Sequence, residues 1–186
     1  EANSLAIQIH GGYGYTRDFP VEQYWRDNRL NMIHEGTHGI QAMDLLGRKV
    51  LMEGGKGLAL LAGRINGTVQ RALQVPRLAA HANALAGALQ QVGAATKAAW
   101  ATGEPGDALA NAVPYMQAFG HTVLAWIWLD VALAIPADAT KTIAAHAGRM
   151  RAAAYFYHYE LPKIGAWLQV VSQRDQTCAS MPEEAF

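Results

Sequence analysis

Charged residues and cysteines are scarce in this chain of 186 residues. Lysine, arginine, aspartate and glutamate make up 16% of it and the formal net charge is zero, so a nucleic-acid or anionic-membrane surface has no electrostatic basis. Cys178 is the single cysteine, which excludes an internal disulfide and a cysteine pair for a metal. Because a lone cysteine fits a reducing compartment, we expect a cytoplasmic protein.

Long apolar runs are also missing. The longest, residues 122–135, contains Asp130 and is shorter than the ~20 residues that a membrane span needs. Trp126 and Trp128 lie within it. The run therefore predicts a buried helix rather than a membrane span.

Helical periodicity dominates what is present. After a turn-rich loop, the pattern predicts helices at about residues 21–33, 37–52, 75–101, 107–133 and 138–171. Asp138 suits the start of the last helix, and Leu161-Pro162 predicts a bend in it, since proline removes a helical donor. Strand-like alternation is not found, so the predicted fold class is all-α, a helical bundle with short connections.

The segment Glu53–Gly57 is the most linker-like part of the interior. We therefore place a domain boundary there, with residues 1–53 in one domain and residues 54–186 in a C-terminal helical extension. The chain has no methionine at position 1 and opens within a helical pattern that stops at glycine, which is typical of the tail of a longer element. We expect a fragment of a larger protein.

Residues 8–41 carry most of the functional information. They contain, in order, a glycine turn, a proline-started helix, an Arg-Asp pair and a Glu-Gly-Thr turn: Gln8, Gly11, Gly12, Gly14, Tyr15; Pro20, Val21, Glu22; Arg26, Asp27; Glu35, Gly36, Thr37. This order resembles the end of the catalytic domain of flavin-dependent acyl-CoA dehydrogenases. In that family the glycine turn contacts the flavin of a neighbouring subunit, and the glutamate of Glu-Gly-Thr is the catalytic base. The chain departs from the pattern at Gln23, where a basic residue is usual, and at Gly39, where a polar residue often follows.

The resemblance implies an FAD-dependent dehydrogenase of an acyl-CoA substrate, re-oxidised by an electron-transfer flavoprotein or similar carrier and assembled as a homo-oligomer. It implies that a helical domain and a β domain precede residue 1, so the isolated chain would be inactive. The region after residue 57 resembles the extra helical extension of the longer members, including those acting on methylmercaptopropionyl-CoA. The implied site residues are Glu35 as base, Glu35 and Gly36 against the substrate, and Gln8, Gly11, Gly12 and Thr37 against FAD.

The chemistry explains why a glutamate at such a turn is suitable. No side chain accepts hydride, so a flavin must do so. Because the α C–H is weakly acidic, fixed donors must polarise the thioester carbonyl while the base removes the proton. Backbone N–H groups near a helix start can supply those donors, and Gly36 leaves room for the ligand. Other interpretations stay open: a solvated helix-start glutamate, a plain glycine C-cap at Gly11, and an N-cap at Thr37.

Residues 34–38, His-Glu-Gly-Thr-His, also fit the H-E-x-x-H zinc-protease motif. That site needs a continuous helix, which Gly36 disfavours by up to ~1 kcal/mol relative to alanine, and a third ligand. We therefore expect no metal. The Arg26-Asp27 pair is predicted to be a structural ion pair or a clamp on the Glu35 turn. For the whole chain, the alternative function is a non-catalytic helical interaction or assembly module.

Overall fold

The computed structural model describes residues 2–136 and 143–185. Every regular element in these residues is helical, which confirms the all-α prediction. The α-helices are α1 (Ala2–His10), α2 (Val21–Leu30), α3 (His38–Asp44), α4 (Met52–Leu73), α5 (Ala79–Ala99), α6 (Pro105–Leu109), α7 (Ala112–Leu133), α8 (Ala144–Tyr155) and α9 (Ile164–Gln173). Short 3-10 helices cover Gly11–Tyr15, Pro76–Leu78, Leu161–Lys163 and Glu183–Ala185, and π-helical turns cover Leu45–Lys49 and Phe156–Glu160.

The chain divides into two compact units, one up to Gln41 and one from Ala42 onward. In the first unit α1 and α2 are joined by two hydrogen bonds, from Asn3 Nδ2 to the Tyr24 carbonyl and from Trp25 Nε1 to Ser4 Oγ, both 3.0 Å long. Neither helix contains a fully buried residue. The boundary that the sequence places after residue 53 stays a prediction.

The second unit is a helical bundle in which α7 packs against α4, α5, α8 and α9. The buried residues of α7 recur at helical spacing and are mostly small: Ala112, Tyr115, Ala118, Thr122, Ala125, Leu129 and Ala132. Small side chains let neighbouring helices approach closely, and two polar side chains at these contacts are hydrogen-bonded, although the buried Nδ1 atoms of His81 and His146 have no partner among the described residues. Tyr157 donates to the Ala125 carbonyl at 2.8 Å, and Trp126 Nε1 donates to Thr68 Oγ1 at 2.8 Å.

Several helix bounds differ from those that the periodicity predicts. Helix α4 was not predicted, and its first turn contains Glu53, Gly54 and Gly55, all at positive φ. The predicted helix at 107–133 is broken into α6 and α7, and the one at 37–52 ends as α3 followed by a π-helical turn. At the predicted bend, Leu161-Pro162, a 3-10 turn follows a π-helical turn and interrupts the α-helical hydrogen bonding before α9. The predicted start at Asp138 lies outside the described residues.

The apolar run at residues 122–135 lies mainly within α7, as a helix packed in the bundle. In the part of the chain that the structure describes, no helix is both long and apolar enough to cross a membrane.

Candidate active site

A tight reversal of the backbone follows α2 and presents the Glu35 side chain. The chain leaves α2 through a turn in which the His34 N–H donates to the Leu30 carbonyl at 2.8 Å. Glu35 then has φ 55° and Gly36 has φ 116°, before α3 begins at His38. The left-handed region is unfavourable for a residue with a side chain, so Glu35 is held there by its surroundings.

The Glu35 carboxylate is open to solvent. Its side chain is 81% exposed, and its Oε1 lies 3.6 Å from His34 Nε2. The Glu35 backbone N–H donates to no other group among the residues that the structure describes. The turn therefore offers a basic oxygen and an unused backbone donor on the same residue.

Gly36 is required at its position for two reasons. Its φ of 116° lies in a region that L-residues rarely adopt. A Cβ there would also lie only 3.2 Å from Gln41 Nε2 and 3.2 Å from Ile40 Cγ2. Side chains of α3 therefore occupy much of the space that a side chain at residue 36 would need.

Gln41 is a part of this site that sequence reasoning missed. Its Nε2 donates to the Glu35 carbonyl at 2.6 Å, across the reversed turn. Its backbone N–H donates to the Thr37 carbonyl at 3.0 Å, which starts α3 at the predicted position. No motif signals the side-chain bond, because the bond depends on the positive φ of Glu35 and Gly36.

The glycine turn contains three glycines with different surroundings. Gly11, at φ 60°, ends α1 in the left-handed conformation that is typical of a helix C-cap. A Cβ at Gly12 would meet nothing within 4 Å, whereas a Cβ at buried Gly14 would lie 2.5 Å from the Ile7 carbonyl oxygen. Gly14 therefore shapes the turn, and Gly12 leaves bare backbone open to a ligand.

Arg26 does not form the predicted pair with Asp27. Its Nε lies 2.7 Å from Glu22 Oε2, and its Nη2 lies 3.3 Å from Glu22 Oε1. Residues four apart share one face of a helix, whereas adjacent residues do not. The Arg-Asp prediction is therefore wrong, and the arginine forms an ion pair within α2 itself.

A cavity of about 250 Å³ lies beside the Arg26–Glu22 pair. It is lined by Ile7, Tyr15, Arg17, Glu22, Trp25 and Arg26.

The zinc-protease motif is not built as one helix. His34 lies in the turn after α2 and His38 begins α3, with Glu35 and Gly36 at positive φ between them. Two histidines must project from one helical face to share a metal in this motif. Groups of three or more residues able to hold a metal ion are absent from the described residues.

A further ionisable cluster surrounds Glu160 in the second unit. Glu160 is 8% exposed, and the Lys163 ammonium, 2.6 Å from its Oε2, holds the pKa of that carboxyl below its usual value. His121 Nε2 lies 3.6 Å from the same oxygen. A paired carboxylate of this kind is what burial of a charge requires.

Comparison with known proteins gives two family matches. Residues 61–182 match the model of the family described as "Acetyl-CoA dehydrogenase C-terminal like". Residues 1–51 match the family described as "Acyl-CoA dehydrogenase, C-terminal domain". The first match covers well over half of the chain, and the junction between the two lies within residues 52–60.

Similar curated proteins carry related names. The chain is 37% identical over 147 residues to the 3-methylmercaptopropionyl-CoA dehydrogenase of Ruegeria pomeroyi, which covers 76% of this chain and 24% of that protein. It is 28% identical over 194 residues to the broad-specificity linear acyl-CoA dehydrogenase FadE5 of Mycobacterium tuberculosis, covering 97% of this chain and 32% of that protein. It is 48% identical over 48 residues to the mitochondrial isobutyryl-CoA dehydrogenase of Bos taurus, covering 26% of this chain and 11% of that protein. The chain thus spans a third or less of the length of these relatives.

Proposed function

The chain belongs to the acyl-CoA dehydrogenase family, and from this premise we propose that it is the C-terminal part of a longer FAD-dependent enzyme. The reaction proposed is the α,β-dehydrogenation of an acyl-CoA thioester. The observation that carries the proposal is the Glu35-Gly36 turn, with an exposed carboxylate and an unused backbone N–H on one residue.

Glu35 is the proposed base for the α proton. Its carboxylate removes that proton from the substrate, while its own backbone N–H donates to the thioester oxygen and stabilises the negative charge that develops there. Gly36 is proposed to lie against the substrate, where it adds no side chain of its own. The turn thereby holds the base and the oxyanion donor at a fixed separation.

Gln8, Gly11, Gly12 and Thr37 are the residues proposed to contact FAD. The fit is favourable at Gly12, where the space that a Cβ would occupy is empty to 4 Å and a phosphate group can reach the backbone. FAD, when bound, accepts the hydride from the β carbon. Because Gln8, Gly11 and Gly12 are proposed to contact the cofactor of a neighbouring subunit, the enzyme is proposed to be a homo-oligomer.

The first unit supports the proposal that a larger domain surrounds it. Ile9 and Tyr15 are 83% and 81% exposed, and α1 and α2 bury no residue fully. Such side chains are available for contact with further protein, which is the arrangement the proposal requires. By the same reasoning, residues 1–186 alone are expected to hold no stoichiometric FAD and to show no dehydrogenase activity.

The proposed substrate is an acyl-CoA. We propose no particular acyl chain, since the names of the three relatives specify different acyl groups. Electrons would pass on to an electron-transfer flavoprotein or a similar carrier.

The test is to purify the full-length protein, measure FAD per chain by absorbance, and add a panel of acyl-CoA thioesters without oxygen. We expect about one FAD per subunit and bleaching of the flavin absorbance by at least one thioester. A colourless protein, or a flavoprotein that no thioester bleaches, would instead support the non-catalytic assembly module.

A further inference from the structure

Gln41 is placed to control the geometry of the Glu35 turn. Resting on the proposed role of Glu35, we infer that Gln41 is a positioning residue for the base. Its side-chain amide fixes the Glu35-Gly36 peptide and so fixes the direction in which the carboxylate points. Gln41 does not touch the reacting atoms itself.

Two contacts carry this inference. Gln41 Nε2 donates to the Glu35 carbonyl at 2.6 Å, which closes a ring of seven residues, 35–41, around the turn. The same nitrogen would lie 3.2 Å from a Cβ on Gly36, so the amide covers one face of that glycine. The amide therefore holds the peptide from one side and occupies the space beside it.

Gln41 is itself well anchored. It lies in the middle of α3, and its backbone N–H donates to the Thr37 carbonyl at 3.0 Å. Its side chain is half-buried. A donor on a helix that starts directly after the turn can resist rotation of the turn, whereas a donor on a free loop would move with it.

The turn needs a stabilising hydrogen bond of this kind because Glu35 has φ 55°. A left-handed conformation is unfavourable for a residue with a side chain, by an amount similar to the net stability that one hydrogen bond provides. Without the amide, Glu35 can return to an ordinary φ. That rotation would redirect both the carboxylate and the backbone N–H that the proposed reaction uses.

The experiment compares three substitutions in the full-length enzyme. Gln41→Met keeps the length of the side chain and removes the donor. Gln41→Glu puts an acceptor where the donor was. Gln41→Lys retains an N–H donor on an unbranched chain and serves as the rescue, while Gln90→Met, on an exposed position of α5, is the matched control.

Four quantities are measured: the anaerobic rate of flavin bleaching at saturating acyl-CoA, the half-saturating concentration, the FAD content and the melting temperature. We expect the Met and Glu variants to bleach roughly 10- to 100-fold more slowly, since small misplacements of a reacting group have effects of this size. The Lys variant should recover most of the rate. Half-saturation, FAD content and melting temperature should stay close to the values of the Gln90→Met control.

Two results would overturn the inference: a wild-type bleaching rate in Gln41→Met, or a rate that falls only together with FAD content and melting temperature in all three variants. Glu35→Gln in the same series separates this inference from its premise. If Glu35→Gln bleaches normally, the proposed base is wrong. If Glu35→Gln fails and every Gln41 variant is normal, only the positioning role is wrong.

Discussion

The glycine turn provides a matched pair of substitutions, Gly14→Ala, which we expect to destabilise it, and Gly12→Ala, which we expect to leave its stability almost unchanged. A methyl group on Gly14 would lie 2.5 Å from the Ile7 carbonyl oxygen and 2.9 Å from His10 Cβ. Neither α1 nor the turn can accept it without a backbone shift, and overpacking of this kind typically costs ~1–3 kcal/mol. Gly12→Ala meets nothing within 4 Å and has no positive φ to lose, so we expect a change within ~0.5 kcal/mol.

The assay is amide hydrogen exchange followed by mass spectrometry on peptides from α1 and α2, because exchange reports local opening of each helix. A loss of ~1–3 kcal/mol corresponds to exchange roughly 5- to 150-fold faster in Gly14→Ala. Peptides from α5 and α7 serve as the internal reference and should not change. Equal acceleration in Gly12→Ala and Gly14→Ala, or none in either, would refute the packing argument.

Gly12 also provides a test of the proposal that the glycine turn contacts FAD. In the full-length enzyme, Gly12→Leu fills the open space beside the turn, so we expect FAD to be lost at dilutions at which the wild type retains it. Exchange in α1 should stay close to that of Gly12→Ala. If FAD and exchange protection are lost to the same degree, the turn is a helix cap and its backbone does not contact the cofactor.

Two further predictions concern the helical bundle of the second unit. Tyr115 is fully buried, and its hydroxyl donates to Thr96 Oγ1 at 2.7 Å. Tyr115→Phe should therefore lower the free energy of unfolding by ~0.5–1.5 kcal/mol in urea titrations. The control Tyr159→Phe, at a residue that is 65% exposed, should change it by less than ~0.5 kcal/mol. Burial, and secondarily the nearby His158, lower the pKa of His81 below its usual 6.5, so the folded state favours the neutral imidazole. The free energy of unfolding is therefore highest above pH 6.5, and it falls as the pH drops below 6.5 because the unfolded state then binds the proton more readily. The ring centroids of His81 and Tyr157 lie 4.4 Å apart, and His81→Phe retains a ring at this stacking position. This variant should therefore show a smaller fall in unfolding free energy between pH 7.5 and pH 5.5 than the wild type.

The fold was predictable where the sequence pattern and the local backbone agree. Helices α5 and α7 follow apolar periodicity, and Pro162 marks the bend before α9. Helix α4 could not be predicted, because five glycines at positions 54, 55, 57, 63 and 67 lower its intrinsic helix propensity. Its buried residues, Ile65, Thr68, Val69 and Ala72, stabilise it by packing, and packing partners are not visible in sequence.

The candidate site was predictable from residue order but not from residue contacts. The Glu-Gly-Thr motif predicts Glu35 as the base, which stays a prediction, and Gly36 does have the positive φ that a glycine there allows. The pairing of Arg26 with Glu22 could have been deduced, since the two are four residues apart on α2. The bond from Gln41 to the Glu35 carbonyl could not, because it exists only once the backbone has reversed.

The role of Glu35 as the base is the central claim, and flavin bleaching in Glu35→Gln tests it most directly. The substitution keeps the size of the side chain and the backbone N–H but removes the basic oxygen. With full-length, FAD-loaded enzyme mixed anaerobically with acyl-CoA, we expect bleaching to slow by at least ~10²–10⁴-fold while the thioester still binds. Bleaching at a rate close to wild type would contradict the assignment and place the base on another residue.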